Sequence, residues 1–167
     1  IIYGFIGKFI GAQGVFFLTP FFAVFGALFF YALIKKVFNK TIAFWSAFLL
    51  FTLSAYWYYS AQVFLPNVLF VSLLLAGLYF MIYKRADERF WLLAFSFGSF
   101  LIGLALTVRT VEATWVLLLL SILLISYGRE RWLARALLFI IFFSVAFLPV
   151  LYFNNQLYGD YLTIGYL

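Results

Sequence analysis

The hydrophobic positions of the chain fall into six long blocks separated by short polar or basic segments. The blocks span residues 15–34, 41–59, 68–83, 90–108, 111–127 and 137–153. Each approaches the roughly 20 apolar residues that a helix needs to cross the hydrocarbon core of a bilayer, although the third and fifth are short. None alternates between apolar and polar residues as a membrane-barrel strand does. Because a helix satisfies its own backbone groups within lipid, the pattern predicts an all-α, polytopic bundle of about six transmembrane helices.

Basic residues occupy every second connection between these blocks. The three basic connections contain Lys35, Lys36 and Lys40; Lys84, Arg85 and Arg89; and Arg129, Arg131 and Arg135. Since Lys and Arg are enriched in cytoplasmic loops, we expect an integral protein of the cell membrane, or of the endoplasmic reticulum in a eukaryote, with these connections in the cytoplasm. Both ends of the chain and the connections at 60–67 and 109–112 then lie on the extracytoplasmic side.

The first fourteen residues differ from the blocks because they are rich in glycine. Gly4, Gly7, Gly11 and Gly14 are spaced so that they would share one face of a helix. Such a face permits close helix approach. Two interpretations stay open at this point: a helix that lies along the outer membrane surface, and a glycine-rich loop.

These patterns divide the chain into three parts. We expect an outer juxtamembrane segment at 1–14, a transmembrane helical region at 15–153 and an outer exit segment at 154–167. Two prolines, Pro20 and Pro149, fall within the predicted spans and are candidate kinks.

The composition supports a membrane protein and excludes several chemistries. The chain is 68% hydrophobic and 10% charged, whereas a soluble domain is about half apolar and about a quarter charged. It has no Cys and no His, which removes disulfides, Cys nucleophiles, His bases and the usual zinc ligands. The cations lie in short clusters between apolar blocks, which argues against nucleic acid as a partner. Neither a metal site nor a cofactor motif is evident, and membrane lipid is the expected partner.

The remaining polar residues gather on the predicted outer side. They include Tyr59, Gln62, Asn67 and Asp160. A mixture of hydrogen-bond donors and acceptors beside a membrane suits a polar ligand such as a sugar. Turns are polar in any case, so an ordinary connection is the alternative interpretation.

Arg109 and Glu112 lie between the fourth and fifth blocks, where charge is scarce. One interpretation is an ion pair that closes an outer turn. The other is an anion site, because the arginine fork fits a phosphate and a lipid phosphate lies at this depth. Lys8, the other outer cation, is a second candidate for such a site.

Four stretches resemble, in order and spacing, one family of membrane enzymes. They are "FGALFFYALIKKVFNKTIAFWSAFLL", "YYSAQVFLPNVLFVSLLLAGLYF", "FLIGLALTVRTVEATWVLLLL" and "FLPVLYFNNQLYGDYLTIGY". The resemblance is to the GT-C superfamily of polyprenyl-phosphate-dependent glycosyltransferases, in the branch with protein O-mannosyltransferases and lipid A aminoarabinose transferases. It covers nearly the whole chain.

This resemblance implies an activity. Such enzymes move a sugar from a polyprenyl-phosphate donor to an acceptor hydroxyl at the extracytoplasmic face. A carboxylate serves as base or orients the acceptor, and a basic residue steadies the phosphate leaving group. Arg109 matches that basic residue and Lys8 is a weaker candidate, while the acceptor stays unspecified.

Two departures limit what the resemblance transfers. The family's catalytic acid usually lies in the first outer loop, and residues 1–14, which resemble the end of that loop, contain no Asp or Glu. We therefore expect an internal piece of a longer chain, with the catalytic acid before Ile1. The family also often has Asp where this sequence has Asn67. The catalytic residues are thus unknown, and neither Glu112 nor Asp160 is assigned as the base.

Two other functions remain in view. A transporter or flippase-type protein for a lipid-linked or anionic substrate is one alternative, and a non-catalytic membrane scaffold is another. A transporter would be expected to carry ionisable residues at mid-depth in its spans. The charged residues of this chain lie near block ends or in connections, which counts against a proton or ion relay but not against a lipid scramblase.

Overall fold

The structure, a computed structural model, describes residues 2–62, 65–82, 88–126 and 132–161. Its helices are α1 (Ile2–Val15), α2 (Leu18–Val37), α3 (Lys40–Thr52), α4 (Ser54–Ala61), α5 (Pro66–Met81), α6 (Glu88–Val108), α7 (Ala113–Ser126) and α8 (Trp132–Tyr158). A single turn of 3₁₀ helix, Thr110–Glu112, precedes α7. The described ranges contain no strand, so the predicted all-α fold is confirmed.

Five of the described helices form a row in which each packs on the next. The order is α3, α2, α5, α6 and α8, so α5 and α6 have a helix on both sides. The core accordingly lies on α5 and α6, where Leu69, Met81, Phe95 and Ile102 are almost fully buried. α4 contacts α2 and α3, while α7 contacts α8 and the 3₁₀ turn at the edge of the row.

The interfaces within the row depend on small residues that let the backbones approach closely. A Cβ atom added to Gly26 of α2 would lie 2.6 Å from Ser72 Oγ of α5. One added to Gly98 of α6 would lie 2.7 Å from the Gly77 carbonyl oxygen of α5, and one on Gly103 would lie 2.6 Å from Ala146 of α8. Such contacts are typical of helix packing in membranes, where van der Waals fit replaces the hydrophobic effect.

The outer surfaces of the row are apolar. Leu118 and Ile125 of α7 are 66% and 78% exposed, and Leu133, Ile140 and Leu148 of α8 are also exposed. A continuous apolar surface on helices with internally satisfied backbones is suited to contact with lipid tails. The protein is therefore an integral membrane protein.

The prediction of six spans is wrong in number. Among the described residues, three helical segments are long and apolar enough to cross a membrane: Gln13–Val37, Phe90–Val108 and Trp132–Tyr158. The second apolar block is broken near Leu53, where α3 and α4 meet at 67°, and counts as a fourth span only if the bent pair crosses together. The third and fifth blocks form helices of 16 and 14 residues, or about 24 and 21 Å, which is shorter than a hydrocarbon core of about 30 Å.

Cations and aromatic rings meet at one end of the row, which we call the basic end. Lys36 Nζ, near the end of α2, lies 5.7 Å from the ring centre of Tyr79 in α5. The guanidinium carbon of Arg135, near the start of α8, lies 5.2 Å from that of Trp91 in α6. The first and third basic connections thus adjoin the same end of the bundle.

Several predicted basic residues lie outside what the structure describes. Lys84, Arg85, Arg129 and Arg131 fall outside the described residues, and Arg89 is described for its backbone alone. Their position in the cytoplasm stays a prediction.

The glycine-rich first segment is helical rather than a loop, with a break. Gly11 has φ 74° and ψ 169° within α1, which interrupts the glycine face predicted for a continuous helix. A Cβ on Gly7 would lie 2.7 Å from Val15 Cγ2. The absence of a side chain at Gly7 therefore leaves room for Val15, which follows the break at Gly11. Phe5 and Phe9 are 63% and 75% exposed, which suits a helix in the membrane interface.

Of the two candidate kinks, Pro20 does not stand in a helix interior, whereas Pro149 does. Pro20 lies in the first turn of α2, which begins at Leu18, where the missing N–H breaks no helical hydrogen bond. Pro149 lies inside α8, which continues past it to Tyr158. Gly159, with φ 73°, then ends the helix in the left-handed conformation common at this position.

Candidate functional site

Arg109 and Glu112 form an ion pair at the end of the row opposite the basic end. Arg109 directly follows α6, and the 3₁₀ turn is closed by the Glu112 N–H, which donates to the Arg109 carbonyl oxygen at 3.2 Å. This turn brings the two side chains together, with Arg109 Nη2 2.8 Å from Glu112 Oε1. Their side chains are 35% and 23% exposed. The predicted pairing across three residues is therefore present.

Asn67 extends the pair across the bundle. Arg109 Nη1 donates to Asn67 Oδ1 at 2.6 Å, a contact between residues 42 positions apart. Asn67 stands in the first turn of α5 behind Pro66, which occupies the start of the helix. Because α5 and α6 run antiparallel side by side, the start of one lies next to the end of the other.

Trp115 completes the group, which we call the seam cluster: Asn67, Arg109, Glu112 and Trp115. Its indole Nε1 donates to Glu112 Oε2. Its ring meets Phe70 of α5 edge to face, with the centres 6.3 Å apart. Sequence reasoning missed Trp115, although its position three residues after Glu112 in a helical run was a usable signal.

The seam cluster holds the guanidinium in a fixed orientation and leaves it donors for another ligand. Arginine has five N–H donors in a rigid fork, and the two contacts described use one on each terminal nitrogen. The formal charges of Arg109 and Glu112 cancel, while Asn67 adds no charge. With an Asp at that position, the cluster would carry a net negative charge.

Two cavities border this end of the bundle. The larger, of about 440 Å³, lies between α2, α3, α4 and α5, and its wall includes Tyr59, Ser60 and Asn67. The smaller, of about 210 Å³, is lined by Tyr3, Pro66, Thr107 and Val108, among others. Both therefore adjoin the seam cluster or its immediate chain neighbours.

Tyr3 anchors α1 over the same end. Its hydroxyl lies 3.4 Å from Thr19 Oγ1 and donates to the Leu65 carbonyl oxygen at 3.4 Å. Burial raises the pKa of the Tyr3 hydroxyl above its ordinary value, while the hydrogen bond with Thr19 acts in the opposite direction. Tyr3 thus stays a neutral hydrogen-bonding group at physiological pH. Sequence reasoning missed this residue as well.

The other predicted site residues lie apart from the cluster's contacts. Lys8 is exposed on α1, and within the described part of the chain it makes no hydrogen bond or ion pair with the seam cluster. Gln62 is exposed at the end of α4, and Asp160 is exposed just beyond α8. Tyr59 shares a cavity wall with Asn67. The structure thus joins Arg109, Glu112 and Asn67 directly and brings Tyr59 near them.

Among the described residues, no three acidic side chains lie close enough together to hold a metal ion.

Comparison with known proteins identifies the family. Neither the curated proteins nor the solved structures yielded a match to this chain. Residues 5–153 match the family model of dolichyl-phosphate-mannose-protein mannosyltransferases, which agrees with the resemblance drawn from the sequence. Since this match covers most of the chain, including every residue of the seam cluster, the protein belongs to the dolichyl-phosphate-mannose-protein mannosyltransferase family of membrane glycosyltransferases.

Proposed function

We propose that this chain forms part of an enzyme that moves a sugar from a polyprenyl-phosphate donor to an acceptor hydroxyl at the extracytoplasmic face of the membrane. Family membership supports sugar transfer. The basic connections support the sidedness, because Lys and Arg concentrate in cytoplasmic loops and the described members adjoin the end of the bundle opposite the seam cluster.

In this proposal Arg109 binds the phosphate that leaves when the sugar is transferred. The observation that carries the assignment is the hydrogen bond from Arg109 to Asn67, which joins two separate helices in addition to the local pair with Glu112. A guanidinium held at two points can stabilise the negative charge that develops on the phosphate without first changing its orientation. Such preorganised donors are a major source of catalytic rate enhancement.

Glu112 positions Arg109 in this mechanism, and the acid that acts on the acceptor hydroxyl stays unassigned. Both carboxylate oxygens of Glu112 are already engaged, one by Arg109 and the other by Trp115, which suits this residue to a positioning role.

Replacement of Arg109 tests the proposal. In membranes that contain the full-length protein, Arg109→Ala should reduce sugar transfer from a polyprenyl-phosphate donor about 10²–10³-fold, as expected for the loss of one strong transition-state donor. Arg135→Ala, a matched loss of arginine at the basic end, should leave transfer close to the wild-type rate. Both variants are checked for folding by their thermal unfolding in detergent. Wild-type transfer by a folded Arg109→Ala protein would contradict the assignment.

A further inference from the structure

The first basic connection, which joins α2 to α3, carries an exposed group of lysines. Lys35 and Lys36 lie in the last turn of α2, and Lys40 is the first residue of α3. All three residues are exposed. The connection therefore presents three positive charges to its surroundings within a short stretch of chain at the basic end.

The helices around this connection offer it no negatively charged side chain. α2 packs against α1, α3, α4 and α5, and residues 1–86 of the sequence contain neither Asp nor Glu. Lys36 lies over the ring of Tyr79 in α5, which attracts a cation without carrying a full charge. Carboxylates of the adjoining helices therefore do not neutralise Lys35 and Lys40.

Lys40 stands at a position where local structure disfavours a cation. Asn39 caps α3, and its Oδ1 accepts a hydrogen bond from the Ile42 N–H at 2.9 Å. The start of a helix carries partial positive charge, so a lysine in its first turn is unfavourable, whereas Lys35 and Lys36 at the end of α2 are favourably placed. Negative charge outside the chain would offset the unfavourable position of Lys40.

Apolar side chains lie exposed between and beside these lysines. Val37 and Phe38, between Lys36 and Lys40, are 58% and 61% exposed, and Trp45 of α3 is 56% exposed. Apolar residues next to lysines are typical of segments in the headgroup region, where the apolar groups reach the acyl chains and the ammonium groups stay at the level of the phosphates. Trp is enriched at the same depth. This combination fits a lipid surface better than a soluble anion.

We propose that the first basic connection binds the headgroups of anionic phospholipids in preference to zwitterionic ones. Each lysine near an anionic membrane surface strengthens binding by up to about fivefold. This role goes beyond a general bias in orientation, because it gives one connection a selectivity for one class of bilayer lipid. It does not depend on sugar transfer, so it stands or falls separately from the proposed function.

The experiment uses the full-length protein in nanodiscs made from equal parts of phosphatidylglycerol and phosphatidylcholine. A trace of one lipid or the other carries a photoreactive diazirine near its headgroup, and mass spectrometry of the peptides maps the label. Phosphatidylglycerol should label the connection between α2 and α3 about tenfold more than phosphatidylcholine, because its headgroup carries a net negative charge. Equal labelling of this connection by the two lipids would overturn the proposal.

Two double variants separate charge from side-chain packing, and both leave Lys36 in place. Lys35→Gln with Lys40→Gln should bring the labelling by phosphatidylglycerol close to that by phosphatidylcholine, whereas Lys35→Arg with Lys40→Arg should keep the preference. If the arginine variant loses as much as the glutamine variant, the connection does not recognise charge and the proposal is wrong. Thermal unfolding in detergent checks that both variants fold. Lys40→Gln alone, with an expected threefold loss of about half the effect on a logarithmic scale, replaces a glutamine variant that does not fold.

Arg135→Gln is the control for location. It removes a cation from the same end of the bundle, but α5 and α6 lie between α8 and α2 in the row. The preference for phosphatidylglycerol at the connection between α2 and α3 should therefore stay unchanged in Arg135→Gln, and in the wild type it should weaken as salt rises. An equal loss in Arg135→Gln would mean that total charge sets the lipid preference, which would contradict a site at this connection.

Discussion

Both ends of the bundle hold cations, but the described contacts of those cations differ. At the basic end Lys36 and Arg135 lie over the rings of Tyr79 and Trp91. At the seam end Arg109 is bonded to a carboxylate and an amide. The contacts at Tyr79 and Trp91 are cation–ring attractions, whereas the guanidinium of Arg109 is bonded at two points and so has a defined orientation. This orientation makes Arg109 the candidate for ligand recognition, whereas the basic-end cations match the pattern expected of cytoplasmic connections.

The sharpest test of this comparison exchanges arginine for lysine at both ends. Arg109→Lys keeps the charge but removes the planar fork, so one charge-assisted contact is lost and sugar transfer should fall about 10- to 100-fold. Arg135→Lys should have little effect, because an ammonium also binds over the Trp91 ring. Transfer rates measured over a range of donor concentrations give the comparison. Equal losses at the two ends would remove the distinction between them.

A smaller effect is expected when Asn67 becomes Asp. The change keeps the hydrogen bond to Arg109 but gives the cluster a net negative charge, which would repel a donor phosphate bound at Arg109 as proposed. The KM for the donor should rise about fivefold, the equivalent of about 1 kcal/mol between charges near a membrane surface.

The control for this change is Asn155→Asp in α8, the same replacement away from the described contacts of the seam cluster. The effect of Asn67→Asp should weaken as salt rises, because salt screens exposed charges. An unchanged or lower donor KM for Asn67→Asp would mean that the phosphate does not lie at the seam cluster.

The smallest expected effect concerns Trp115. Trp115→Phe keeps an aromatic ring beside Phe70 but loses the hydrogen bond to Glu112, so the free energy of unfolding should fall by about 1 kcal/mol. Trp45→Phe, at an exposed position on α3, should change it less. Thermal unfolding in detergent measures both. If the two variants lose the same stability, the bond to Glu112 contributes little to the orientation of the pair.

The helical architecture was largely readable from the sequence, but the number of spans was not. Continuous apolar runs predict helices in lipid, and a helical segment follows from each of the six blocks. The break near Leu53 escaped prediction because the run has neither Gly nor Pro there, and Thr52 and Ser54 on either side of Leu53 are small polar residues that a membrane helix also tolerates. The Thr52 hydroxyl donates to the Leu49 carbonyl oxygen at 2.8 Å, and such a local bond competes with helix continuation.

Contacts of the candidate site between residues close in sequence were predictable, and contacts between separate helices were not. Arg109 and Glu112 meet because they are three residues apart in one turn. The bond from Arg109 to Asn67 depends on the side-by-side packing of α5 and α6, which close glycine contacts set. The large cavity is formed by residues of α2, α5 and the bent pair α3 and α4. These residues are distant in sequence, so no local pattern predicts the cavity.

The short length of α5 affects the bilayer around the protein. Asn67 and Tyr79 mark the polar groups at its two ends, and their twelve-residue separation is about 18 Å of helix. A hydrocarbon core of about 30 Å does not match that distance, so the surrounding lipid must thin, the helix must tilt less than its neighbours, or flanking side chains must extend toward the headgroups. Hydrophobic mismatch at this helix would draw the headgroup plane inward, toward the depth of Arg109.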